Sequence, residues 1–303
     1  MERIYQFDTV AKYNTFNNHE TLHPLVSVID FTLANPRSWD GQKNVKINYG
    51  LYCIFLKDVK CGDLKYGCNY YDYQEGTLVF VEPGQIMVVE TDGNEYQPKG
   101  FALVFHPDMI EGTALSEKIN TYHFFKYNTN EALHLSERER QIVLDCFSNL
   151  NFELQQNVDK HSKKLIVSII ELFLNYCERF YDRQFITRNS ENKGILENFA
   201  ELLNTYFLSN KPQIIGLPSV AYCADALHFS ANYFGDLIKK ETGKSAKEHI
   251  QNKIIALAKN KIFVANKSIN EVAFELGFKY PQHFSRMFKN ETGLTPNEYR
   301  QLN

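Results

Sequence analysis

Two stretches of this chain, "IKKETGKSAKEHI" from Ile238 and "FKNETGLTPNEYR" from Phe288, carry the same punctuation at an offset of 50 residues. In each, a run that reads as helix stops at Glu-Thr-Gly, at Gly243 and at Gly293. Glycine there supplies the left-handed backbone that ends helices. A hydroxyl residue follows with glutamate three places on, Ser245 with Glu248 and Thr295 with Glu298. That spacing is a capping box, and it starts the next helix. A stop and a restart this close leave no room for a strand, so the region must fold as short helices joined by tight corners.

Upstream, the two copies stay in step. Ala224, Leu227 and Phe229 match Ala273, Leu276 and Phe278 at an offset of 49. One extra residue in the second corner shifts the offset to 50, so Phe234, Leu237 and Ile238 match Phe284, Met287 and Phe288. Each copy predicts a short helix, a turn, a longer helix and a glycine stop. In the second copy Ser268 with Glu271 opens the short helix, Gly277 suits the turn, and Pro281 fits the first turn of the longer helix. This is a helix-turn-helix written twice. An array of helical repeats would need three or more units to bury its faces, and only two are present.

The segments "ADALHFSANYFGDLIKKETGKS", "IIALAKNKI" and "SINEVAFELGFKYPQHFSRMFKNETGLTPNEYR" resemble the DNA-binding domain of AraC/XylS-type bacterial transcription regulators. The last of them carries the family hallmark, I-x-x-V-A-x-x-L-G-F … F-S-R-x-F-K … G-x-T-P-x-x-Y-R. The resemblance covers about the last 90 residues. It departs on the connecting helix, where many members have arginine four residues before the Ala-Lys pair. Here that place is Ile254 with Lys253 beside it, so no phosphate contact is assigned to position 254.

The resemblance implies that the longer helix of each unit meets DNA with its outward face. Tyr233, Phe234, Leu237 and Ile238 in the first unit, and Phe284, Met287 and Phe288 in the second, are expected inward. Outward this leaves Asn232, Gly235, Asp236, Lys239 and Lys240, then Gln282, His283, Ser285, Arg286 and Lys289; Lys279, just before the second helix, joins the candidates. Arg286 can grip guanine and Gln282 can pair with adenine. The lysines suit phosphates, which set register. Any one of these polar residues could equally be a solvated face. Two such helices joined by a third can enter successive major grooves, about 34 Å apart.

Charge agrees with a polyanionic partner, though weakly. From Lys211 onward 13 Lys/Arg face 8 Asp/Glu, while the first 210 residues carry 20 against 28, beneath a net charge of −3.

The first 125 residues or so read as strands and turns: "LVSVIDF", "GLYCIFLK", "TLVFVEPGQIMVVE" and "GFALVFHP" are β-branched and aromatic runs bounded by turn residues. Such spacing predicts a sandwich or a barrel. From Leu135 the period becomes helical, opened by a capping box of Ser136 with Glu139 and carried by Ile142, Val143, Cys146 and Leu150. A second helix, Lys160 to Tyr181, is apolar around most of its circumference, which fits either core against the β domain or a dimer seam. The polar "RQFITRNSENKG" reads as a linker, followed by a short helix from Ile195 to Phe207. This part also resembles the family's effector domain, a cupin-like barrel followed by helices that commonly dimerise, and "YQEGTLVFVEPGQ" is similar to its glycine-and-proline hairpin. That would put a small-molecule pocket inside the barrel.

"HETLHP" matches the H-E-x-x-H zinc pattern through His19, Glu20 and His23. The chemistry needs both histidines on one helix face. Pro24 pushes His23 away from helical geometry, and "NTFNNHE" has loop composition. His106 stands alone in "VFHPDM" and reads as a strand-end residue bonded to backbone. The chain shows no phosphate loop, no G-x-S-x-G and no C-x-x-C. Its six cysteines, Cys53, Cys61, Cys68, Cys146, Cys177 and Cys223, are scattered and read as reduced cytosolic thiols. Some DNA-repair proteins carry this DNA-binding domain together with a cysteine cluster, which scattered cysteines do not form. No apolar run reaches membrane-spanning length, and the opening residues lack the pattern of a signal peptide.

The expectation is therefore an α+β chain. Residues 1–132 form a cupin-like β-barrel sensor, 133–192 a helical dimerisation and linker region, and 193–303 an all-α domain of two helix-turn-helix units joined by a helix. Such a chain is a cytoplasmic, sequence-specific transcription regulator and not an enzyme. It needs no metal or cofactor, and its partners are double-stranded DNA, a second copy of itself and a small-molecule effector. The competing reading is a metal-dependent enzyme of the barrel, with the DNA-binding tail as a localising module.

Overall fold

The computed structural model describes residues 4–33, 44–57, 76–90, 99–128, 131–187, 189–264 and 267–302. The chain divides into two compact units, Met1–Gln184 and Phe185–Asn303.

In the first unit, strands β1 (Ile4–Phe7), β3 (Asn44–Tyr49) and β6 (Ile86–Glu90) form one sheet in the order β1-β3-β6, with β1 parallel to β3. Strands β2 (Val26–Asp30), β4 (Tyr52–Lys57), β5 (Thr77–Val81), β7 (Gly100–Phe105) and β8 (Leu133–His134) form a second, antiparallel sheet in the order β2-β7-β4-β5-β8. Among the described residues these are two sheets and not one closed barrel. They share one core, to which Phe7, Val45, Ile47 and Tyr49 come from the smaller sheet and Ile29, Cys53, Val81, Ala102 and Val104 from the larger. Tyr13 sits in the same cluster and meets Phe7 edge-on at 5.3 Å. Phe7, Tyr13, Phe31 and Tyr49 give this core its aromatic character.

The expected glycine-and-proline hairpin is corrected at one point. Pro83 and Gly84 form a tight turn, with Gln85 N–H donating to Glu82 O at 3.2 Å and Gly84 at φ +88°. That turn does not pair β5 with β6. It hands the chain from the larger sheet to the smaller, pinned by Gly84 N–H on Tyr49 O at 2.6 Å. The start of the quoted stretch, Tyr73 to Glu75, lies outside the described residues, as do Cys61 and Cys68.

Helix α1 (Val10–Phe16) was not expected, because its sequence is polar and short. Thr9 caps it by accepting Lys12 N–H at 3.2 Å, and burial of Val10, Tyr13 and Asn14 holds it. It ends before His19, so the loop reading of "NTFNNHE" fails for its first residues and stands for the histidines. His23 is spent locally, its Nδ1 accepting Leu25 N–H at 3.1 Å. His106 similarly accepts Asp108 N–H through Nδ1 at 3.2 Å.

After α2 (Ala114–Lys118), helix α3 (Glu137–Leu154) opens on the expected capping box, with Glu139 accepting Ser136 N–H at 2.8 Å. It packs on β2 and sends Phe147 to Phe101 of β7, although Ile142 is only half-buried. Helix α4 (Ser162–Thr187) buries Ile166, Ile170, Phe173 and Leu174, while Leu165 and Leu172 stay about half exposed. Arg183 of α4 grips Glu139 from both Nε and Nη2 and reaches His134 O at 2.7 Å. The expected linker is largely helix: α4 runs to Thr187 and α5 (Asn189–Leu208) starts two residues later. Polar composition does not stop a helix; without proline it can run on. Among the described residues no helix is long and apolar enough to cross a membrane.

Candidate nucleic-acid interface

The second unit continues from α5 through α6 (Lys211–Ile215), α7 (Val220–Ala226), α8 (Ala231–Thr242), α9 (Ala246–Lys261), α10 (Ile269–Glu275), α11 (Pro281–Thr292) and α12 (Pro296–Leu302). The duplication read in the sequence is a duplication in space. Helices α7 and α10 have 7 residues each, and α8 and α11 have 12 each.

The corners match bond for bond. Phe229 N–H donates to Ala224 O at 2.9 Å, and Phe278 N–H to Ala273 O at 3.0 Å. The left-handed residue of the turn is Gly277 in the second copy and His228, at φ +64°, in the first. At the far end Gly243 and Gly293 are left-handed, at φ +72° and +80°, and their N–H groups return to Lys239 O and Lys289 O. The threonine of each Glu-Thr-Gly seals the stop: Thr242 Oγ1 reaches Ile238 O and Thr292 Oγ1 reaches Phe288 O, both at 2.7 Å. Glu248 then accepts Ser245 N–H and Glu298 accepts Thr295 N–H, again both at 2.7 Å.

The inward faces are those expected. Tyr233, Phe234, Leu237, Ile238, Phe284 and Phe288 are buried, and Met287 is half-buried. Phe199 of α5 meets Phe234 edge-on at 5.0 Å, and Phe185 packs on Tyr233 at 5.2 Å. The inward residues determine what faces out. Lys239, Lys240, Gln282, His283, Arg286 and Lys289 are exposed, whereas Asn232, Gly235, Asp236 and Ser285 are half-buried. Lys279 is exposed in the second turn, its Nζ 5.6 Å from the centre of the Tyr280 ring, and Tyr280 in turn meets His283. Lys239, Lys240 and Lys289 sit in the last turns of their helices, where a cation also complements the helix dipole.

The connecting helix α9 carries the departure noted at position 254. Ile254 is buried in the core, and Lys253 Nζ bonds Asn204 Oδ1. Two further residues were not legible in sequence. Arg300 donates from Nε to Ile262 O at 2.7 Å and from Nη2 to Lys267 O at 2.9 Å, tying α12 to both ends of the α9–α10 connection. Glu275 accepts from Lys261 at 2.8 Å and also from Lys267. The hydrogen bond from Lys261, then that from Lys267, holds its carboxyl below the usual glutamate range.

The caps make this unit acid-sensitive. Glu248 is held below its ordinary value of 4.5, first by the Ser245 hydroxyl. Glu271 and Glu298 are held down first by the backbone N–H groups of Ser268 and Thr295. A carboxyl lowered by folding contributes stability fully above its unfolded value, and loses it as pH falls through the folded one. The unfolding midpoint is expected to fall as pH drops below about 4.5. Replacing the three glutamates by glutamine should flatten that slope, as thermal melts across the pH range would show.

A helix-turn-helix domain family matches residues 223–302. The uncharacterized HTH-type transcriptional regulator YtdP of Bacillus subtilis (strain 168) is 26% identical over 155 residues, half of this chain but 19% of its own length. The uncharacterized HTH-type transcriptional regulator YfiF of the same organism is 24% identical over 242 residues, covering 78% of this chain and 72% of that protein. Among solved structures, the C-terminal domain of AraT, a response regulator from Geobacillus stearothermophilus, aligns at a TM-score of 0.32 and 23% identity, over 36% of this chain and 85% of that one. Residues 223–302 are thus a helix-turn-helix domain of the AraC type.

Proposed function

We propose that the chain is a cytoplasmic, sequence-specific regulator that reads two adjacent major grooves with α8 and α11, under the control of its first unit. The observation that supports this is the pair of matching corners and glycine stops, which gives two 12-residue helices buried faces at matched positions and so matched outward faces. Between them α9, with 16 residues, is about 24 Å long, a reach suited to neighbouring grooves. Arg286, Gln282, His283, Ser285 and Asn232 read bases, Asp236 beside them weakens non-specific contact, and Lys239, Lys240, Lys279 and Lys289 hold phosphates.

The first unit senses a small molecule or assembles the protein. A homodimer would use the exposed Leu165 and Leu172 of α4, which lie seven residues, two helical turns, apart. The family relation supports regulation over catalysis.

Selection of duplexes from random sequence by the full-length protein tests the proposal. A site with two short motifs about one helical turn apart should be enriched. Affinity for it should fall linearly in log–log terms with salt, by roughly 0.9 for each phosphate neutralised. Absence of enrichment, together with absence of binding at low salt, would refute it.

A further inference from the structure

Helix α8 carries a glycine that the fold does not call for. Gly235 is the fifth of its 12 residues, well inside the helix. Its φ is not among the positive ones, unlike that of Gly243, which ends the same element. A Cβ built on Gly235 would meet no atom within 4 Å. Glycine inside a helix is destabilising relative to alanine, because it has more backbone freedom to lose on folding. Packing therefore leaves the missing side chain unexplained, and helix propensity opposes it.

The explanation lies in the space in front of the residue. Gly235 comes three residues after Asn232 and four before Lys239, so the three are neighbours on one helical face. Tyr233, Phe234, Leu237 and Ile238 are buried and turn that face outward. The result is a dent in the face of α8 that meets DNA in the proposed reading, with Asn232 on one side and exposed Lys239 on the other. The matched place on α11 holds Ser285, between Gln282 and Lys289, so of the two helices only α8 has the dent.

Glycine serves where a backbone must approach a ligand closely. It presents no side-chain donor or acceptor to a base, so it reads shape. In the major groove the base group recognised by apolar contact is the C5-methyl of thymine. Asn232, one turn earlier, is a side chain suited to adenine N6 and N7. An A·T pair shows both features on one groove edge, the purine pattern for the amide and the methyl for the dent.

We propose that Gly235 is a specificity-determining position, at which the C5-methyl of a thymine packs against the glycine Cα. The inference rests on the reading of α8 as a recognition helix, and it adds a base contact that no side chain makes.

Two glycine-to-alanine changes in the full-length protein test it. Gly235→Ala should raise the thermal unfolding midpoint by a few degrees. It should nevertheless weaken binding to the selected duplex roughly tenfold, because a methyl group now occupies the dent. Affinity for scrambled DNA and the salt slope should stay as they are, since no phosphate contact is lost. Gly194→Ala, in α5, also fills open space, and should raise the midpoint without changing either affinity. Thymines of the selected site are then replaced one at a time by deoxyuridine, which lacks only the methyl. At one position this should weaken binding by the unaltered protein and abolish the difference between it and Gly235→Ala. Unchanged site affinity in Gly235→Ala, a lowered midpoint, or an equal loss on scrambled DNA would overturn the proposal. So would an equal loss in Gly194→Ala, or a set of deoxyuridine duplexes in which none relieves the variant. Failure of the unaltered protein to bind any duplex would instead remove the recognition-helix reading, and this inference with it.

Discussion

Arg286→Ala is expected to weaken binding to the selected site by roughly ten- to a hundredfold and to relax preference at one base pair. Arg286 stands exposed in the middle of α11, on the face opposite buried Phe284 and Phe288. From there its guanidinium can meet guanine O6 and N7 together, a contact worth about 1–3 kcal/mol. The matched residue of the first copy is Asp236, half-buried on α8. An aspartate repels phosphate and at most accepts from cytosine N4. Asp236→Ala should therefore change affinity for the site little and raise it for scrambled DNA. Titrations of both variants on both duplexes, at one salt concentration, separate the roles. Loss of site preference in Asp236→Ala with preference kept in Arg286→Ala would reverse them.

Gly277→Ala is expected to destabilise the second unit by about 2–4 kcal/mol. Two costs coincide at this glycine. Its φ of +96° disfavours any residue with a Cβ. A Cβ there would also lie 2.8 Å from Gly216 C and O and 3.0 Å from Pro212 O, all backbone atoms with little freedom to move. Gly216 is itself held by its N–H on Pro212 O and by the Tyr206 hydroxyl on its carbonyl, both at 2.9 Å. The same turn position in the first copy is exposed His228, at φ +64°. His228→Gly should leave stability unchanged or raise it. Thermal unfolding distinguishes these: a fall of several degrees is expected for Gly277→Ala. A wild-type midpoint for that variant would mean that the α6 turn yields.

What could be read from sequence was what is written locally. Capping boxes, the glycine stops and the inward faces of α8 and α11 depend on neighbours within four residues, so spacing alone located them. Arg300 belongs to the quoted hallmark, yet its partners Ile262 and Lys267 are 38 and 33 residues away, and nothing local names them. Glu275 is similar, since Lys261 precedes it by 14 residues. Helix α1 escaped because its stability comes from burial of Val10 and Tyr13 against the sheets and not from a periodic pattern. The turn at Pro83–Gly84 was legible as a turn, but which sheets it joins depends on pairings with Tyr49 and its strand.

The contact beneath Gly277 has a consequence for how the second unit behaves as a material. Helix α6 precedes the first copy in the chain but packs against α10 of the second, while α5 packs against α8 of the first. The two copies are therefore not beads on a string. Each borrows part of its support from chain upstream of both, and Arg300, at the far end, fastens the bridge between them. Such cross-bracing makes the unit melt as one cooperative block. Neither copy can be excised without losing part of its support, and any force that loosens α6 is felt first at α10 of the second copy.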